Sequence, residues 1–97
     1  MLNSRQRAQL RGMANGYEPI LHIGKGGITD EVIKQADDAL TARELIKARV
    51  LETAPQTTRE AAEDLARKSK SDVVQVVGFV FILYRENKEN KKIHLVK

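Results

Sequence analysis

Three glycines in four positions, Gly24-Lys25-Gly26-Gly27, separate a short apolar run from a helical repeat. Upstream, Pro19-Ile20-Leu21-His22-Ile23 reads as a strand, with its proline at the first position where no ladder donor is needed. Downstream, Thr29 and Asp30 are helix-start residues, and Val32, Ile33, Ala36, Ala39 and Leu40 recur at helical spacing. Glycine permits positive φ and close backbone approach, so the chain can pass from strand to helix within a few residues. An amphipathic helix beside a strand must bury its stripe against a sheet, which directs the chain to an α/β architecture.

The remaining patterns extend that unit. Glu44 to Leu51 alternates, with Ile46, Ala48 and Val50 on one face and Lys47 and Arg49 on the other. Thr57-x-x-Glu60 is a capping box opening a helix to about Lys70, with Ala61, Ala62, Leu65 and Ala66 inward. Val73–Val77 and Phe79–Tyr84 read as two strands with a tight turn at Gly78, Phe79 and Phe81 sharing a face as core or sheet surface. Near the N-terminus, Ser4 is the expected cap of a helix to about Ala14, with Leu10, Met13 and Ala14 as its apolar stripe and Asn15-Gly16 as its stop. The tail, 86–97, is charged, and Ile93 and Leu95 alternate as in a short edge strand. The expectation is one compact α/β domain over 1–97, ordered α-β-α-β-α-β-β, with helices packed on a mixed four-stranded sheet. Strands separated by helices should be parallel neighbours, and the final pair antiparallel.

Seventeen Lys and Arg against 13 Asp and Glu leave a net charge of +4. That excess favours polyanionic partners through counterion release but does not alone decide the matter. The absence of cysteine excludes disulfides, thiolate metal sites and cysteine nucleophiles. The N-terminal stretch lacks the apolar core of a signal peptide. The apolar run from Val73 to Tyr84 is shorter than the ~20 residues that span a bilayer. A soluble, cytoplasmic protein without a membrane partner is expected.

The glycine loop has two readings, a sharp turn and a phosphate cradle. In the second, unpaired N–H groups entering the helix at Thr29 and the charge of Lys25 would hold an anion. Nucleotide motifs fit poorly. A Walker A loop needs its lysine after the last glycine, and Thr29 stands where a dinucleotide fingerprint requires glycine. A loop that touches the phosphates of a polymer remains, as in the GXXG loop of KH domains. His22 lies beside the loop without a catalytic constellation, and Asp37-Asp38 face different directions. No metal-ligand spacing is present. No enzyme, metal, cofactor or small-molecule substrate is expected.

Several motifs in order resemble one family: Gln6-x-x-x-Leu10-Arg11, Pro19, Ile23-Gly24-Lys25-x-Gly27-Ile28-Thr29, Glu44-Leu45-Ile46-Lys47, Val74-Gln75-Val76-Val77-Gly78 and Leu83-Tyr84-Arg85, with Lys91-Lys92-Ile93 in the tail. The chain resembles the CRM domain (chloroplast RNA splicing and ribosome maturation), particularly the bacterial stand-alone YhbY-like members. The resemblance implies a fold like the C-terminal domain of bacterial translation initiation factor three. It also implies RNA binding through the GxxG loop and association with precursors of the large ribosomal subunit. One departure is Glu18, acidic where the family more often has a basic residue before the proline.

The candidate RNA-binding residues are therefore Gly24, Lys25, Gly26, Gly27 and Thr29, with Arg7, Arg11, Arg43, Lys47 and Arg85 extending the contact. Each cation also has a plainer reading: a solvated helix face for Arg5, Arg7 and Arg11, a solubilising sheet face for Lys47 and Arg49, and a helix-dipole partner for Arg43. Contacts should fall mainly on phosphate and sugar, because the aromatic pattern of an RRM is absent. A monomer bound to ribosomal RNA in pre-large-subunit particles is the expectation; a module recruited through ribosomal proteins is the alternative.

Overall fold

The computed structural model describes residues 2–97 and runs α1 (Ser4–Ala14), β1 (Leu21–Ile23), α2 (Asp30–Arg43), β2 (Leu45–Val50), α3 (Thr58–Ser69), β3 (Asp72–Val77) and β4 (Val80–Tyr84). One sheet holds the strands in the order β1-β2-β4-β3. β1 pairs parallel with β2, Leu21 opposite Ala48, and α2 makes the crossover. β4 is antiparallel to both β2 and β3. β2 and β3 thus point the same way, but they are not neighbours as the helix between them suggested. The tight turn after β3 folds β4 back into the gap. That gives the centre of the sheet a strand whose Phe81 and Leu83 are fully buried.

Alternation along the strands sorts two cores. On one face Leu21, Ile23, Ile46, Ala48, Val50, Phe81 and Leu83 meet Ala36 and Leu40 of α2 and Ala61, Ala62, Leu65 and Ala66 of α3. On the other, Leu45, Val74, Ile82 and Tyr84 meet Leu10 and Ala14 of α1, together with Leu2 and Ile93. The small inward alanines let α2 and α3 lie close to the sheet. α1 and the tail cover only the Leu45–Tyr84 end of the second face. Beyond it Arg49 and Val77 are exposed and Lys47, Gln75 and Val80 half-buried.

Local chemistry explains the element ends and several departures from expectation. Asn3, not Ser4, caps α1: its side chain accepts the Gln6 N–H at 2.8 Å, and the Gln6 side chain accepts the Asn3 N–H at 3.0 Å. Thr57 and Glu60 make the same reciprocal pair on α3, at 3.1 and 2.8 Å. β1 is shorter than its apolar run. Ile20 still donates its N–H to the Lys47 carbonyl at 2.9 Å. The β3–β4 turn takes Phe79 as well as Gly78, so Phe79 is 57% exposed while Phe81 is buried, and the two do not share a face.

Ile93 and Leu95 form no strand. Instead, the tail is held by Glu44, whose side chain accepts the N–H groups of Asn87 (2.6 Å), Lys92 (2.7 Å) and Ile93 (2.7 Å). Burial works to raise the Glu44 pKa, but these three donors and the charge of Lys91 outweigh it and hold the carboxyl below its ordinary value.

Candidate nucleic-acid interface

The glycine loop leaves β1 as a closed turn. Gly27 donates its N–H to the Gly24 carbonyl at 2.9 Å, which puts Lys25 and Gly26, both exposed, at the tip. Thr29 donates to the Gly27 carbonyl at 3.2 Å, leading into α2. Gly27 has φ +70, and a Cβ there would lie 3.2 Å from Pro55 Cγ. Among the described residues, the N–H groups of Lys25 and Gly26 find no acceptor. Two free donors and an ammonium group therefore share one exposed tip, a combination suited to an oxyanion.

The helix terminus behind the tip is less available. Thr29 Oγ1 accepts the Val32 N–H at 3.2 Å, and the first turn of α2 carries Asp30 and Glu31. These carboxylates already complement the positive end of the helix. An added anion is thus favoured at the loop tip over the helix terminus.

Hydrogen bonds between strand ends place the surrounding loops. Leu51 donates to the Ile23 carbonyl at 2.8 Å, and Val50 to the Phe79 carbonyl at 2.7 Å. The glycine loop, the start of the β2–α3 connection and the β3–β4 turn thus share one end of the sheet. The uncovered face runs up to that end. His22 stands opposite Arg49 in register, and both are exposed. Asn15, Lys47, Gln75, Val77, Val80 and Ile82 line a shallow depression of about 340 Å³. Among the described residues, Lys25, Lys47 and Arg49 enter no ion pair.

The other candidates divide. Arg11 is half-buried on α1, one turn from Arg7. Arg7 itself donates to the Val73 carbonyl, where β3 departs from regular register. Arg43 ends α2, about 20 Å along the helix axis from Thr29. Arg85 is committed to packing. Its guanidinium donates to Asp37 Oδ1 (2.7 Å), the carbonyls of Ser69 (2.8 Å) and Asp37 (2.9 Å), and Thr41 Oγ1 (2.8 Å). That fork ties α2, α3 and the end of β4 together and leaves little capacity for phosphate.

Arg49, exposed on the uncovered face, was not among the candidates drawn from the sequence, although its strand alternation was plain. Asn15 was read only as a helix stop and Gln75 only as part of a strand motif; their meeting in the depression depends on how α1 docks on the sheet. Among the described residues no group of three His, Cys, Asp or Glu is placed to hold a metal, and no helix is long and apolar enough to cross a membrane.

The chain is similar to known proteins over nearly its whole length. The chain is 45% identical over 95 residues to "Probable RNA-binding protein YqeI" of Bacillus subtilis, covering 98% of this chain and 99% of that one. It is 31% identical over 90 residues to a Haemophilus influenzae protein named RNA-binding protein, covering 93% and 91%. The solution structure of SAV1595 from Staphylococcus aureus superposes with a TM-score of 0.83 at 47% identity, covering 99% of this chain and all of that one. The model of the CRS1/YhbY (CRM) domain matches residues 2–85, and the chain belongs to that family.

Proposed function

We propose that this protein binds structured RNA without catalysis, gripping the sugar-phosphate backbone with the tip of the glycine loop, and that its target lies in precursors of the large ribosomal subunit. The observation that carries the reading is the tip itself. The free N–H groups of Lys25 and Gly26 and the Lys25 ammonium stand at the end of a face bearing the unpaired cations Lys47 and Arg49. Two relatives carry RNA binding in their names. The ribosomal target follows from the family resemblance. A cytoplasmic location and action as a monomer belong to the same proposal.

The double variant Lys25→Asp, Gly26→Asp tests it. Both positions are exposed and only the Thr29 methyl, 3.2 Å from a Cβ at position 26, must give way, so the domain should fold with its melting temperature little changed. Binding to ribosomal RNA should fall by at least about tenfold, the scale of one or two lost charge-assisted contacts. A folded variant that bound as tightly as the parent would remove the loop from the interface.

Leu51, Val77 and Phe79 are exposed at the same end of the sheet and favour a second reading, docking onto a ribosomal protein. Rising salt separates the two. Phosphate contacts weaken steeply with salt, whereas an apolar protein interface does not.

A further inference from the structure

A cleft of about 600 Å³ opens between the ends of α1 and α2, the tail and β2. Met13 and Tyr17, each 38% exposed, supply an apolar and an aromatic surface, and buried Ile93 contributes to the wall. Arg43, Lys47 and Lys92 also line it, and among the described residues none of the three is in an ion pair. Glu18 is the only acidic residue of the lining. The cleft is therefore an apolar slot carrying a net charge of two positive units.

The edge of β2 adds a polar group. The Glu44 carbonyl and the Val50 N–H bond toward the β4 side, to Arg85 and Phe79, so the odd-numbered residues between them present their backbone groups toward β1. The Lys47 carbonyl is taken by Ile20, but β1 is too short to reach the Lys47 N–H. That donor has no acceptor among the described residues and sits on the β1-side edge of β2, and Lys47 lines the cleft. Such a short open edge cannot accept a peptide strand, which needs several successive ladder bonds. It can give one hydrogen bond to a planar heterocycle.

Resting on the RNA-binding reading above, the geometry points to this cleft as the site of one unpaired nucleobase. The base stacks on Tyr17 and Met13, and the flanking phosphates lie against Arg43, Lys47 and Lys92. Lys47 also belongs to the uncovered sheet face, so the cleft continues the surface that leads to the glycine loop. Arg43, remote from the loop, acquires a task here. The protein then prefers a helix that carries a bulged or looped-out nucleotide beside the stretch gripped by the loop.

Two RNA hairpins test this, one fully paired and one carrying a single bulged 2-aminopurine. The parent should bind the bulged hairpin on the order of tenfold more tightly, the scale of one base–aromatic stack. Emission of the 2-aminopurine should change on binding, as should that of Tyr17, since the other tyrosine, Tyr84, is 3% exposed. Tyr17→Ala should abolish the preference and keep paired-hairpin binding, with an unchanged melting temperature as its control. Lys25→Asp should weaken both hairpins together. Equal affinities in the parent, or a preference that survives Tyr17→Ala, would overturn the base site; if ribosomal proteins then shifted the Tyr17 signals, the cleft would be a protein-docking groove. Failure of the parent to bind either hairpin would overturn the RNA-binding reading itself.

Discussion

Gly27 and Gly26 fill neighbouring positions in the loop for different reasons. Gly27 combines φ +70 with a Cβ position 3.2 Å from the Pro55 ring. Gly27→Ala should therefore cost about 1–3 kcal/mol in chemical denaturation, from backbone strain and crowding together. Gly26 faces only Thr29 Cγ2 at 3.2 Å and stands exposed at the tip, so a side chain there would act chiefly on whatever the tip touches. Arg85 teaches the complementary lesson. Arg85→Ala removes four hydrogen bonds of a guanidinium whose side chain is 22% exposed, and should lower stability by about 2–3 kcal/mol. Arg85→Lys should rescue little, because an ammonium cannot span the same fork. At a temperature where the variant is folded, its RNA affinity should stay near that of the parent. The position of Arg85 after the last strand was legible in the chain. Its partners Asp37, Thr41 and Ser69 were not, because they come from two distant helices.

Elements with their own periodicity were readable in advance. β2 declared both its buried and its basic face, and α3 declared its cap and its alanine stripe. The tail did not, because its order comes from partners distant in sequence: Gln6 and Gln9 of α1 bond its end at His94 and Val96, and one buried carboxylate holds its start. Glu44 stands at φ 66 between α2 and β2, and its three N–H donors lie 43 to 49 residues downstream. Glu44→Gln would set an amide donor against backbone donors. It should cost about 2 kcal/mol and shift the amide resonances of Asn87, Lys92 and Ile93 most strongly in NMR spectra. The folded pKa of Glu44 is depressed, so its contribution is complete above the ordinary carboxylate range and is lost as pH falls through the folded value. Acid titration should therefore loosen the tail, and the Gln variant should have lost this step.

For the whole molecule, the decisive feature is what the layers leave uncovered. α1 and the tail close one half of the second sheet face, and the other half meets the glycine loop, with Lys25, Lys47 and Arg49 in no ion pair among the described residues. About three phosphate contacts, at Lys25, Lys47 and Arg49, predict a slope of log affinity against log salt near −2 to −3, shallower by about one unit in Lys25→Asp. Arg43 falls outside this patch because it ends α2, a helix length from the loop, and Arg85 because its guanidinium is spent on Asp37, Thr41 and Ser69.

Amide chemical-shift mapping of the labelled protein with a ribosomal RNA hairpin tests the central claim most directly. The largest shifts should fall at His22, Lys25, Gly26, Lys47 and Arg49. Shifts confined to the outer faces of α2 and α3, at Glu31, Gln35, Arg59 and Glu63, would contradict it.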